Sequence, residues 1–305
     1  MDFSRRDWLR LFDVEAGAPA GFLADIAPSA AERVGRYRYM TRRTLAGEMQ
    51  YIEIYPVYGP DKRKAVRAAR AQATPEQIAR ANQRARERRL AMLLDTNFGP
   101  RDYFVTLTYA HDVTRELAQQ DVRNFLRRVG RIRDRRGLDK QRYIYCLEDS
   151  DGEGGRVRTH IHLVISGGLT REELEQIWGM GYANALRLQP DSRGLEGLAK
   201  YLLKAQGNRT RSQSGRRSWS SSRNLEQPQV RKRRTGLSTA RVRRMAEDAV
   251  HQGQEELERM YPGYDYIDLQ VRYSDVTDGV YLEAVMRRKR GRPGDKTDTA
   301  AAAQV

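Results

Sequence analysis

The segment Thr159-His160-Ile161-His162-Leu163-Val164-Ile165 decides how the central part of this chain folds. In a β-strand alternate side chains share a face, so the two histidines point the same way while Leu163 and the isoleucines point into a core. Two imidazoles on one face supply half of a metal site. A pair of ordinary surface or core histidines is the alternative.

A second strand is predicted just upstream, at Arg142-Tyr143-Ile144-Tyr145-Cys146-Leu147-Glu148. The Gly- and Asp-rich stretch 149–155 would join the two strands as a hairpin turn, which brings Glu148 close to the histidines. One carboxylate and two nitrogens leave positions open on Mg²⁺ or Mn²⁺, as phosphoryl chemistry requires. A solvated carboxylate at a strand end is the other interpretation of Glu148, and we interpret Cys146 as a packing residue.

A helix is predicted over residues 194–206, because apolar residues recur there at helical spacing, namely Leu195, Leu198, Ala199 and Leu202. Tyr201 and Lys204 are three residues apart and therefore neighbours on its other face. Gly194 and Gly197 lie on the side of Tyr201 and would leave room for a nucleic-acid backbone. A tyrosine with a pKa near ~10 is a poor nucleophile at neutral pH, which a nearby ammonium and a metal at the target phosphate would correct. Without the histidine pair, Tyr201 would be an ordinary boundary aromatic.

Three motifs in this order resemble those of the HUH endonucleases, specifically the rolling-circle replication initiators of bacterial plasmids, filamentous-type phages and related integrated elements. They are Phe104-Val105-Thr106-Leu107-Thr108-Tyr109, His160-Ile161-His162 and Tyr201-Leu202-Leu203-Lys204. Weaker similarity surrounds them, at Thr74-Pro75-Glu76-Gln77, Asn97-Phe98-Gly99 and Trp219-Ser220-Ser221-Ser222-Arg223-Asn224-Leu225. The resemblance spans roughly Arg38 to Arg288.

The resemblance implies a metal-dependent nickase and strand transferase. His160, His162 and Glu148 would hold Mg²⁺ or Mn²⁺, Tyr201 would attack a phosphate of single-stranded origin DNA with Lys204 beside it, and Thr108 and Tyr109 would contact the DNA. The products would be a 5′-phosphotyrosine link and a free 3′-OH that primes host polymerase, and reversal of the step would rejoin strands. The motif holds one tyrosine where some phage initiators carry two, which leaves termination open. Relaxases and transposases of the same nuclease class share all three motifs.

Composition favours a nucleic-acid partner. The 305 residues carry 56 Lys plus Arg against 40 Asp plus Glu, a net charge of +16 that attracts phosphate at long range. This charge is equally compatible with a basic single-strand binding protein that lacks catalysis. A single cysteine excludes an intramolecular disulfide and suits a reducing cytoplasm. No apolar run is long enough to span a membrane, and no Walker A loop is found, so a host helicase would act in trans.

The sequence predicts an α+β fold with an antiparallel sheet. The resemblance implies, more specifically, a ferredoxin-like HUH nuclease core with a central antiparallel sheet, plus helical and hairpin extensions. We expect an N-terminal segment (1–36), a hairpin and basic helix (37–101), the nuclease core (102–206), a basic Ser/Arg-rich loop (207–236), a C-terminal helix and hairpin (237–288) and a disordered tail (289–305).

Individual elements of this fold are also predicted. Hairpins are expected from strands at 37–44 with 49–58 and at 264–273 with 280–286, and helices at 74–94, around 122–132, at 170–178 and at 238–260. Residues 59–73 would be a basic lead-in to the helix at 74–94. In the Ser/Arg-rich loop, Trp219 could stack on a base and Arg223 could bind phosphate, unless the loop is only a flexible linker.

Overall fold

The computed structural model describes residues 38–71, 74–150, 156–204, 219–234, 236–274 and 279–289. These residues form seven α-helices, one π-helical turn and two five-stranded sheets, which confirms the α+β class. They divide into two compact units. In their described residues, the first comprises 38–44, 48–77 and 230–289, and the second comprises 45–47 and 78–229. Among the described helices, none is both long and apolar enough to cross a membrane.

The first unit is built on a sheet with strand order β8-β1-β2-β10-β9. Its strands are β1 (Arg38–Ala46), β2 (Met49–Val57), β8 (Gln229–Arg234), β9 (Tyr264–Ser274) and β10 (Gly279–Arg288). Its helices are α1 (Pro60–Ala71), α6 (Thr239–Glu247), a π-helical turn (Ala249–Gly253) and α7 (Gln254–Met260). A buried ion pair between Arg42 and Glu53 joins β1 to β2.

Both hairpins predicted for this unit are confirmed, while three other expectations are wrong. The lead-in at 59–73 forms α1, and the C-terminal end of the expected loop 207–236 forms β8. The single helix expected at 238–260 is broken at Asp248, whose side chain accepts a hydrogen bond from the backbone N–H of His251 at 3.0 Å. A carboxylate that caps the next turn competes with continued helix, so the chain restarts there as the π-helical turn.

The second unit alternates strands and helices around one antiparallel sheet. In chain order it contains most of α2 (Pro75–Asn97), β3 (Tyr103–Thr108), α3 (Arg115–Arg135), β4 (Tyr143–Ser150), β5 (Arg156–Ile165), α4 (Arg171–Trp178), β6 (Ala183–Arg187), α5 (Glu196–Lys204) and β7 (Ser220–Ser221). The strand order is β6-β3-β5-β4-β7, and every neighbouring pair is antiparallel. The central strand β5 carries the histidine pair.

One face of this sheet is a closed apolar core under α3 and α4. It contains side chains at alternate strand positions, among them Val105, Leu107, Ile161, Leu163 and Ala185, packed against Phe125 and Trp178. The Trp178 indole is fully buried and donates to the backbone oxygen of Thr108 at 3.0 Å. This bond fixes the C-terminal end of β3 against the core.

The other face is only partly covered, by α2 and α5. Its apolar part contains Ile144, Cys146 and Val164 from the sheet and residues of the two helices, including Leu90, Leu94, Leu195, Ala199 and Leu202. Cys146 is a buried packing residue, as predicted. Beyond this cluster the face becomes polar, and His160, His162, Glu148 and Thr108 lie there.

The predicted helices of this unit are confirmed, with small changes at their ends. α2 begins at Pro75 as expected but continues to Asn97, and α4 has the full capping box of Thr170 and Glu173. Strand β6 was not predicted, because Ala183–Arg187 is short and carries little strand-forming composition. Some predictions lie outside the described residues. They concern 1–36, 290–305 and 205–218, the last of which contains the end of the predicted helix and most of the predicted Ser/Arg-rich loop.

Candidate active site

The site is organised by cross-strand rows on the half-open face of the second sheet. His160 on β5 lies opposite Glu148 on β4 and Thr108 on β3, and His162 lies opposite Thr106. Side chains directly opposite each other on adjacent antiparallel strands stand about 5 Å apart. Three strands therefore bring their polar side chains to one face of the sheet, the face that His160 and His162 share.

His162 is held firmly by its neighbours. Its Nε2 lies 2.7 Å from the Glu148 carboxylate, and its Nδ1 lies 3.4 Å from the Thr106 hydroxyl. Phe104 stacks on the imidazole with 5.8 Å between ring centroids, and the residue is only 2% exposed. The ring is thus oriented by a carboxylate at one nitrogen and a hydroxyl at the other.

Tyr201 reaches the same place from α5. Its ring meets that of His162 edge-on at a centroid distance of 5.3 Å and that of Phe104 at 5.9 Å. The side chain is 49% exposed, although Leu202 and Leu203 beside it are buried. The buried stripe of α5 therefore anchors the helix while its edge presents a phenol to solvent next to the histidines.

The surroundings of Tyr201 hold its phenol in the protonated form. Partial burial, and then the negative charge of Glu148, raise the pKa of Tyr201 above 10. Both causes disfavour a phenolate. A cation placed beside Glu148 would oppose the second cause and so lower the pKa of Tyr201.

The start of α5 is fixed by α2. The carboxylate of Asp95 accepts the backbone N–H of Leu195 at 2.8 Å, which satisfies a free donor at the helix N-terminus. Gly194 adopts φ +70°, and a Cβ there would lie 2.5 Å from an Asp95 oxygen. The expectation that Gly194 leaves room for DNA is therefore wrong, because Asp95 fills that space. Gly197 has nothing within 4 Å of a Cβ position and does remain open.

The donor set suits a divalent cation, but it is not gathered as a cation site. Two imidazoles and a carboxylate lie in adjacent positions on one face, yet Glu148 binds His162, and the His160 and His162 rings are parallel with centroids 6.4 Å apart. Within the described residues no three His, Cys, Asp or Glu side chains converge on a point where a metal ion could be held. Rotation of the Glu148 side chain away from His162 would be needed to free both donors.

The remaining predicted residues are placed differently. Thr108 shares the row of His160, whereas Tyr109 is 4% exposed in the core, where it donates to Asp121 at 3.1 Å and meets Trp178 edge-on. Tyr109 is thus on the face opposite the histidines and is not in a position to touch DNA there. The side chain of Lys204 lies outside the described residues.

The described residues that follow α5, from Trp219 to Gln229, are part of the second unit. β7 pairs with β4, Trp219 packs partly buried against the apolar cluster under α2 and α5, and Arg223 is exposed close to Tyr143. Neither of the two residues is brought to the histidines by a contact among the described residues. The Trp219 indole is therefore partly used in packing rather than fully presented to a base.

Two contributors to the site were not singled out from the sequence, namely Thr106 and Phe104. Both lie in the first motif, at the positions that alternate with its buried residues, and both contact His162. The period-two pattern of β3 would have found them once the register with β5 was known.

Comparison with protein families identifies the class to which this arrangement belongs. Residues 102–206 match the family of replication-associated proteins of the ORF2 and phage gene 2 protein type. This segment, from the start of β3 to the end of α5, is therefore similar to replication-associated proteins of that type, which confirms the resemblance found in the motifs. The match contains both histidines, Glu148 and Tyr201. Comparison with curated proteins and with solved structures gave no match.

Proposed function

We propose that this protein starts rolling-circle replication by nicking single-stranded origin DNA with Tyr201. The observation that carries the proposal is the edge-on contact of the Tyr201 ring with His162, whose imidazole is bound to Glu148. A half-exposed phenol beside two histidines and a carboxylate is what a metal-assisted tyrosine nuclease needs. The replication-associated family of residues 102–206 supports the same role.

The chemistry is a transesterification. The Tyr201 oxygen forms a bond to phosphorus while the bond from phosphorus to the 3′ oxygen breaks, giving a 5′-phosphotyrosine and a free 3′-OH. The proton lost by the phenol balances the one gained by the 3′ oxygen. Because the phosphodiester energy is retained in the enzyme link, a later 3′-OH can reverse the step and join strands.

Three residues are proposed to serve a cation, and two to orient the site. His160, His162 and Glu148 would hold Mg²⁺ or Mn²⁺, which would polarise the scissile phosphate. Thr106 and Phe104 fix the His162 ring through its Nδ1 and its face. Thr108 is proposed to contact the DNA backbone, and Lys204, three residues after Tyr201, is proposed to aid ionisation of the phenol.

The order of elements in the second unit supports a ferredoxin-like nuclease core. β3, α3, β4, β5, α4 and β6 follow one another as strand-helix-strand-strand-helix-strand, with β3 and β5 at the centre of the four strands. We propose that this arrangement is the HUH core, with α5 added on the face that carries the histidines. Single-stranded DNA, host polymerase and a host helicase are the proposed partners.

Covalent capture of origin DNA tests the proposal. Single-stranded oligonucleotides tiling the DNA that flanks the gene, mixed with protein and Mn²⁺ or Mg²⁺, should yield an adduct that survives denaturing electrophoresis. Tyr201→Phe should bind the same oligonucleotide and form no adduct. A basic protein that only binds single strands would bind the oligonucleotide but form no adduct with either cation, and that outcome would overturn the proposal. Relaxase or transposase activity would appear as an adduct outside a replication origin.

A further inference from the structure

A large basic cleft lies beyond the C-terminal end of β5, at the end of the second sheet away from His160. It has a volume of about 1090 Å³ and opens beside the N-terminal ends of β3 and β4 and the C-terminal ends of β5 and β6. Its lining includes five cationic side chains, Arg101, Arg133, Lys140, Arg142 and Arg187, against three carboxylates. None of these residues takes part in the site around Tyr201.

The cleft is a rigidly built feature. Gly167 forms its floor, and a Cβ there would clash with the backbone oxygen of Arg101. The Asp102 carboxylate accepts the backbone N–H groups of Gly99 at 2.8 Å and Gly167 at 2.7 Å. The buried Arg133 guanidinium donates to the backbone oxygens of Asp139 and Gly167 and so ties the walls together.

The positive charge of the cleft is only partly neutralised. Asp102 is held by two backbone donors rather than by the arginines. Arg101 and Lys140 are exposed and make no side-chain hydrogen bond or ion pair with another described residue. Arg187 lies over the Tyr103 ring at 3.9 Å to its centroid, which holds its guanidinium at the rim. Arg142 forms an ion pair with Glu226 at 3.8 Å, and Arg187 donates to the backbone oxygen of Arg101. Among the described lining residues, Arg101 and Lys140 are therefore the cationic side chains left to bind an anion.

The lining also indicates which form of nucleic acid fits. No aromatic side chain is among the described residues that line the cleft. Single-strand grooves combine cations with aromatic platforms on which bases stack, whereas duplex DNA binds through its phosphates without any stacking. We propose that this cleft binds the phosphate backbone of duplex DNA next to the nick site. This proposal rests on the proposed nickase function and adds a second DNA contact to it.

The distance along β5 between the histidines and the cleft predicts how long a DNA duplex must be to reach the cleft. His162 and Ser166 are four residues apart, and His160 and Ser166 six, which at about 3.3 Å per residue is roughly 13 to 20 Å. B-DNA rises about 3.4 Å per base pair, so this distance corresponds to about four to six base pairs. A DNA duplex shorter than this, next to the nick site, should gain no affinity from the cleft, whereas a longer duplex should bind more tightly.

Equilibrium binding of the full chain tests the cleft. Fluorescence anisotropy would compare parent protein with Arg101→Gln/Lys140→Gln on a 12-base-pair duplex and on a 12-nucleotide single strand, between 50 and 200 mM NaCl. Loss of two phosphate contacts should make the slope of log K against log [salt] less steep by about 1.8 on the duplex. The fourfold rise in salt should then weaken duplex binding about 12-fold less in the variant than in the parent. Single-strand binding should be nearly unchanged.

A matched control separates the cleft from net charge. Arg123→Gln/Arg135→Gln removes two exposed arginines from α3 that do not line the cleft. It should leave the duplex slope within experimental error of the parent. An equal loss in both double variants, an unchanged slope in the cleft variant, or an effect confined to the single strand would overturn the cleft proposal. Adduct formation on the single strand by the cleft variant reports separately on the nickase proposal.

Discussion

The two faces of the second sheet share the same strands but differ in what covers them. Under α3 and α4 the alternate residues of β3 and β5 close into a core around Trp178 and Phe125. On the other face, α2 and α5 cover only the inner part, and the outer rows carry the histidines, Glu148 and Thr108. One alternating pattern therefore produces both the stability and the reactive surface.

Two tyrosines show this difference at the level of single side chains. Tyr109 ends the core face, and burial together with its hydrogen bond to Asp121 raises its pKa strongly. Tyr201 stands on the open face at half exposure, and its pKa is raised by partial burial and by Glu148. Both phenols are protonated at neutral pH, but only that of Tyr201 is half exposed next to His162 and Glu148.

The largest expected effect comes from exchanging each tyrosine for phenylalanine. Tyr201→Phe should abolish covalent attachment to single-stranded origin DNA, because it removes the attacking oxygen, and leave binding nearly intact. Tyr109→Phe should retain the adduct and lower the free energy of unfolding by about 1 kcal/mol through loss of the bond to Asp121. Adduct yield on denaturing gels and urea unfolding measure the two outcomes. An adduct that persists in Tyr201→Phe would point to the exposed Tyr182.

The second effect concerns the three proposed ligands. His160→Ala or His162→Ala should abolish cleavage, excess chelator should do the same, and Glu148→Ala should reduce metal affinity or activity about 10- to 100-fold or more. Initial nicking rates across a Mg²⁺ titration would separate lost affinity from lost chemistry. Asp121→Ala, which removes a carboxylate from the core side, serves as the control and should nick at the parental rate. Nicking that continues in chelator would remove the cation from the mechanism.

A third effect is a shift in the pKa of Tyr201. Since Glu148 is one cause of the raised pKa, Glu148→Gln should lower the pKa toward 10 without bringing it below, because burial remains. Saturating Mg²⁺ should also lower the pKa in the parent and have no such effect in Glu148→Gln. ¹³C NMR of tyrosine-labelled protein, with the Tyr201 signal assigned by its loss in Tyr201→Phe, measures this directly. A pKa unmoved by both Mg²⁺ and Glu148→Gln would separate the phenol from the cation.

The smallest effects belong to the docked segment beyond α5. If Arg223 contacts a phosphate of the single strand, Arg223→Gln should lower the salt slope of single-strand binding by about 0.7. Trp219→Ala should lower the stability of the protein, since its ring packs on the cluster under α2 and α5. The same change should cost about 1 to 3 kcal/mol of single-strand affinity only if the ring also stacks on a base. Unchanged binding in both variants would make this segment purely structural.

The sequence predicts the site better than it predicts the surroundings of the site. Alternation placed His160 and His162 on one face, since a strand has a fixed period, and the predicted hairpin brought Glu148 close to them. The row that Glu148 shares with His160 appears only in the structure. Tyr109 was misplaced because the resemblance put it beside Thr108 at the DNA, whereas alternation along β3 puts it on the face of Val105 and Leu107. The break at Asp248 and the space taken at Gly194 depend on single hydrogen bonds, which leave no periodic signal.

The most direct measurement is the identity of the residue that carries the DNA. Adduct formed with a single-stranded origin oligonucleotide can be digested with nuclease and protease and sequenced by tandem mass spectrometry. The peptide that contains Tyr201 should carry a nucleotide joined through its 5′-phosphate, and the released fragment should end in a 3′-OH. A nucleotide on any other residue, or a 3′-phosphate on the released fragment, would contradict nicking by Tyr201.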